Sequence, residues 1–199
     1  WEVTNDGTGT DGVTIEVPTK IGNTTNIPAG WKVTPIPYSF DLDSEETREI
    51  DLEVEVDKNA QPETVFIVLY FTFHDGKEQI TRDITVIVNQ TYDVGTTLSS
   101  SLLQIFPGRN QTATLTVKNT GTGQDYYQIE VSAVDGITAT VEPSLTNPIS
   151  PGETIQVSID FDVDGGMEPA TVTFWINVTS QEANEEGIDV IDTTTIDVK

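Results

Sequence analysis

The 199 residues carry 33 acidic against 9 basic side chains, a formal charge of -24, with 36% hydrophobic residues, 8% aromatics and no cysteine. That charge repels nucleic-acid phosphate and anionic lipid, and the missing cysteine excludes a disulfide framework, a thiolate metal site and a cysteine nucleophile. Thr, Val and Ile recur without Ala- or Leu-rich helical stretches, a β composition, and no run nears the roughly 20 apolar residues of a membrane span.

The chain opens at Trp1 rather than methionine, which reads as a processed product, a fragment or an engineered chain. The first predicted strand, Val3-Thr4-Asn5, ends in the Gly-rich turn Asp6-Gly7-Thr8-Gly9. The same pattern returns as Val117-Lys118-Asn119-Thr120-Gly121-Thr122-Gly123, so the chain contains an internal repeat. Trp31, in Gly30-Trp31-Lys32-Val33, reads as a core or edge anchor. Residues 49–57 then alternate apolar and polar side chains, and residues 156–164 repeat the alternation. A period of two predicts a half-buried strand in each copy, with Ile50, Leu52, Val54 and Val56 facing one core and Val157, Ile159, Phe161 and Val163 the other. The register continues, so Val65, Ile67, Leu69 and Phe71 correspond to Val172, Phe174, Ile176 and Val178. His74-Asp75-Gly76-Lys77 reads as a hairpin turn, Asp-Gly being a type I′ signal, and residues 89–95 as a junction.

In the second copy, strands are expected near 92–98, 102–106, 112–118, 126–133, 137–141, 154–163, 172–178 and 188–198. Short strands separated by turn signals predict an all-β chain of two tandem immunoglobulin-like β-sandwich domains, 1–90 and 91–199. The first copy has nothing equivalent to residues 92–114, so it is expected to lack its first strand or strands. Proteins normally cover such an edge. Either a preceding segment of a longer array fills it, or a neighbouring subunit does so by strand addition, or the first domain is rearranged.

The order Val-X-Asn-X-Gly-Thr-Gly, then Ile27-Pro28-Ala29-Gly30-Trp31-Lys32-Val33, then Ser44-Glu45-Glu46-Thr47 or Ser150-Pro151-Gly152-Glu153-Thr154, resembles the NEW-type and CARDB-type Ig-like repeats of archaeal and bacterial cell-surface proteins. It covers nearly all of both copies, although the second has Asp135-Gly136-Ile137 in place of the Gly-Trp pair. The resemblance implies a spacer, stalk or surface-lattice module, or an accessory domain beside a carbohydrate-active enzyme.

Four Asn-X-Ser/Thr sequons, at Asn23, Asn89, Asn110 and Asn177, are candidate glycosylation sites and favour an extracellular or cell-surface location. The single histidine, His74, is explained by turn geometry, and no nucleophile, base and orienting group assemble, so no enzyme activity is expected. Asp160-Phe161-Asp162-Val163-Asp164-Gly165 matches the start of a calcium loop, but Thr171 stands where the bidentate Glu belongs. A second acidic cluster, Asp41, Asp43, Glu45 and Glu46, is the other calcium candidate; a solvated strand or loop face is the alternative for both. No other cofactor is implied. Phe66, Tyr70 and Trp175 alternate away from the core and are candidates for a protein interface, with stacking on a sugar as the alternative. The expected role is a structural module of a stalk, surface layer or filament, with neighbouring domains or subunits of the same protein as partners. The rival is a carbohydrate- or ligand-binding adhesion module.

Overall fold

The computed structural model describes every residue except Asn59 and, at Asp75, the backbone alone. The chain is all-β and divides into two compact units, Trp1–Asn89 and Gln90–Lys199. Each is an immunoglobulin-like β-sandwich.

The first unit comprises β1 (Glu2–Thr4), β2 (Asp11–Glu16), a small hairpin of β3 (Lys20–Ile21) and β4 (Thr24–Thr25), β5 (Lys32–Ile36), β6 (Ser39–Leu42), β7 (Thr47–Glu49), β8 (Asp51–Glu55), β9 (Glu63–Phe73) and β10 (Glu78–Val88). One sheet has the order β10-β9-β2-β6. On the other side, β7 and β8 act as one strand interrupted only at Ile50, pairing with β1 through β7 and with β5 through β8. Ile50 bridges the break, because its N–H donates to the Trp1 carbonyl and its carbonyl accepts from the Trp1 amino group. Val13, Ile15, Leu42, Ile50, Leu69 and Phe71 make one buried cluster, and Trp31, Val33 and Ile67 a separate smaller one.

The second unit follows the same plan with β11 (Val94–Leu98), β12 (Leu102–Leu103), β13 (Asn110–Asn119), β14 (Tyr127–Val131), β15 (Ile137–Glu142), β16 (Thr154–Val163), β17 (Val172–Ser180), α1 (Gln181–Glu185) and β18 (Ile191–Val198). Its sheets run β11-β13-β16-β15 and β12-β18-β17-β14, with only β12 on β18 parallel. A single continuous core fills the space between them, with Ile159, Phe161, Phe174 and Ile176 fully buried and Phe161 meeting Phe174 edge to face at 5.0 Å. Burying each such side chain contributes about 1.5–3 kcal/mol.

The structure departs from the sequence reading in four places. Val56 is 39% exposed, because β8 ends at Glu55 and Val56 lies one residue past the ladder. The 74–77 turn is a four-residue loop with a 3-10 turn over His74–Gly76 in place of a type I′ turn. There the His74 N–H leaves the ladder to donate to the Asp11 carboxylate at 2.8 Å. Residues 181–185 form a helix whose N-cap, Ser180, accepts from the Ala183 N–H, so the last strand starts at Ile191. Finally, the Thr91 N–H already donates to Thr122 Oγ1, so that stretch of the expected junction belongs to the second unit.

Candidate functional site

The residues repeated between the units build a frame. Asn119 Nδ2 donates to the carbonyls of Gly123 and Ile149, both at 2.8 Å, while its Oδ1 accepts from the Gly121 N–H. Asn5 does the same with Gly9, Leu42 and Gly7. One amide thus closes the Gly-rich turn and ties it to a segment 30 or more residues away along the chain. Gly121 is required by space, since a Cβ there would lie 2.4 Å from the Thr91 carbonyl. The backbone of each Asn also clamps a following turn: Asn5 exchanges hydrogen bonds with Glu45 and Glu46, and Asn119 with Gly152 and Glu153. Gly152 has φ +81 and its counterpart Glu45 has φ +63, a region that favours glycine.

A second repeated residue is an aspartate at, or just before, the start of the strand that pairs with β9 or β17. Asp11 pairs opposite Leu42, and Asp125 bridges to Ile149. Asp125 is buried and its carboxylate accepts from Ser180 Oγ at 2.6 Å and from the N–H groups of Tyr126 and Glu182. Asp11 accepts from the His74 N–H, and His74 Nδ1 lies 3.0 Å from its Oδ2. Both carboxylates therefore hold the segment leaving the long central strand. This explains the single histidine as a brace between Asp11 and Glu78; the Asp75 side chain, its sequence neighbour, lies outside the described residues.

The acidic candidates are dispersed. Asp160 and Asp162 lie on the exposed face of β16, where Asp160 accepts from Thr112 Oγ1. Asp164 sits in the following turn and, with Asp135 and Asp162, lines a polar hollow of about 390 Å³. In the other cluster the Asp43 carboxylate accepts from Thr10 Oγ1, and Glu46 accepts from the Asp43 N–H; Asp41 is exposed. Among the described residues, no three Asp, Glu or His side chains are gathered as a metal-binding set. The sequon asparagines Asn23, Asn89, Asn110 and Asn177 are all exposed; Asn177 Oδ1 accepts from Thr193 Oγ1.

Of the aromatic candidates, Phe66 is 65% and Trp175 56% exposed, while Tyr70 is half-buried. Sequence reasoning missed Phe106, which is 81% exposed at the rim of an apolar hollow of about 730 Å³ formed with Ile105, Ile137, Val163, Met167 and Val198. The signal was present, since Leu103 and Ile105 alternate inward and Phe106 follows on the other parity. Three tyrosines of this unit are held neutral beyond the usual phenol range. Burial, then the hydrogen bond and charge of Glu186, pushes Tyr92 up to about 12. The hydrogen bond to Glu185, then burial, pushes Tyr126 to about 12. Burial, then the neighbouring Asp125, raises Tyr127.

No protein-family profile and no curated protein matches the sequence. No described helix is long and apolar enough to cross a membrane. Solved structures similar to the chain include a PapD-like domain of human CEP192, 13% identical with a TM-score of 0.38 over 52% of this chain and 83% of that one. Domains 4 and 5 of the S-layer protein SbsC match at 12% identity and a TM-score of 0.34, over 80% of this chain and 85% of that one. The CupB2 chaperone of Pseudomonas aeruginosa matches at 9% identity and a TM-score of 0.35, over 98% and 89%.

Proposed function

We propose that the chain is a structural module of the cell surface, part of a stalk, surface layer or filament, that works by holding its two sandwiches and presenting their faces to neighbouring domains or subunits. The observation that carries this reading is that the repeated polar residues, Asn5 and Asn119, Asp11 and Asp125, are all consumed in fixing the frame. None of them is left to do chemistry, and the one histidine is a brace, so the reading assigns no catalysis. The four exposed sequon asparagines support an extracellular setting, with glycans expected on at least one of them.

A second reading is favoured by the exposed rings of Trp175 and Phe66, which suit stacking on a sugar as well as on a protein. A glycan array separates the two. The structural reading expects no specific sugar to bind; specific binding lost on Trp175→Ala overturns it in favour of a carbohydrate-binding module.

A further inference from the structure

The two units share one plan, but the second covers a strand edge that the first leaves open. Val65 pairs with Val86 and its counterpart Val172 with Val198, so Ile84, Thr85 and Val86 of β10 stand for Ile196, Asp197 and Val198 of β18. In the second unit β12 runs parallel to β18, with Leu102 opposite Asp197 and Leu103 opposite Val198. The Asp197 N–H donates to the Ser101 carbonyl, the Lys199 N–H to the Leu103 carbonyl and the Ile105 N–H to the Lys199 carbonyl, each at 2.9 Å. Leu103 and Ile105 thereby close the core, and Ile196 and Val198 are only 0% and 2% exposed. No described strand of the first unit lies outside β10, and there Ile84, Val86 and Val88 are only partly buried against Trp31 and Ile67.

The backbone of β10 is turned to receive such a strand. Asn26 Oδ1 accepts from the Val68 N–H and its Nδ2 donates to the Val68 carbonyl, on the side away from β10. Val68 and its partner Asp83 therefore turn their backbone groups away from each other, and by alternation Thr85 and Ile87 turn theirs outward as well. The counterpart of Val68, Trp175, behaves alike, exchanging hydrogen bonds with Ser132.

We propose that β10, over residues 84–88, is the acceptor for an uncharged extended strand of a partner polypeptide that runs parallel to it. The incoming strand sets two apolar side chains, two residues apart, over Ile84 and Val86 as Leu103 and Ile105 do in the second unit. Two features of the chain select this occupant over edge-to-edge pairing of two copies. Arg82 alternates onto the core-facing side of β10, a charge that blunts pairing along its full length. Each copy also carries -24, whereas the β12 segment, Ser99-Ser100-Ser101-Leu102-Leu103-Gln104-Ile105-Phe106, has no charge. The proposal rests on the reading of the chain as a module working through protein contacts. Its failure leaves that reading standing, because the glycan measurement decides it separately.

The test uses the full chain and a labelled peptide with the sequence of residues 99–106, followed by fluorescence anisotropy and by amide NMR. Saturable binding is expected, with shifts at Thr85 and Ile87. A peptide carrying Leu103→Asp and Ile105→Asp should bind at least about tenfold more weakly. Thr85→Pro removes an outward N–H without touching the β9 ladder and should weaken the parent peptide roughly tenfold. Absence of saturable binding, equal binding of the aspartate peptide, or shifts confined elsewhere overturns the proposal. So does concentration-dependent protection of the same amides without peptide, which would give the edge to a second copy. Should the proline variant unfold, the peptide pair alone decides.

Discussion

Asn119 is buried with every polar atom of its side chain engaged, so little at that position is negotiable. Asn119→Ala removes three hydrogen bonds, leaving the Gly123 carbonyl and the Gly121 N–H without that partner while the Ile149 carbonyl keeps the Asp125 N–H, and is expected to cost about 3 kcal/mol in urea denaturation of the second unit. The same change at Asn5, where the corresponding bonds are more exposed, should cost about 1 kcal/mol. At Glu45 the opposite sign is expected. Glu45→Gly relieves the strain of a side chain held at φ +63, a left-handed conformation that its counterpart Gly152 adopts without a Cβ, and should stabilise the first unit by about 0.5–1 kcal/mol. Unchanged or lowered stability contradicts that assignment. The raised tyrosines give a pH effect: folding favours the neutral phenols of Tyr92 and Tyr126, so their contribution is full below the ordinary phenol range near pH 10 and is lost as pH rises through about 12, and Tyr127 is shifted in the same direction. Tyrosinate absorbance rising together with loss of β circular dichroism checks this. The motif asparagines were legible as repeats, but their bonds to Leu42 and Ile149 were not, because the acceptors lie on another element, far along the chain.

At the scale of elements, the inward sets of β9, β16 and β17 were legible because each strand has one face in a core, and a period of two then reports burial directly. Ile159→Asp places an unpaired carboxylate among Phe161, Phe174 and Ile176 and is expected to cost several kcal/mol, with a melting curve like the parent's as the contrary result. Periodicity reports which side chains share a face but not where the strand stops, which is why Val56, one residue past β8, departs from the expected inward set. The helix α1 escaped notice because five residues carry no helical period, although Ser180 as N-cap and Gly187 beyond its end were local signals. The hairpin was misjudged because Asp-Gly describes a local preference, while the Asp11 carboxylate from β2 captures the His74 N–H.

For the whole molecule, 33 acidic residues face 9 basic ones, and the ion pair of Lys32 with Glu55 at 3.0 Å is exposed. A net charge of -24 then opposes compactness, and added salt should raise the melting temperature by screening. Because no described acidic group is gathered around a point, calcium and sodium at equal ionic strength should give the same rise; a calcium-specific gain would locate a site that the dispersed carboxylates do not suggest. Two sandwiches on one plan, with the edge of β18 covered by β12 and the matching edge of β10 covered by no described strand of its unit, are tested most directly by amide hydrogen exchange on the free monomer. This arrangement predicts slow exchange at Asp197, bonded to Ser101, and fast exchange at Thr85 and Ile87. Equal protection at all three in a monomer would contradict it.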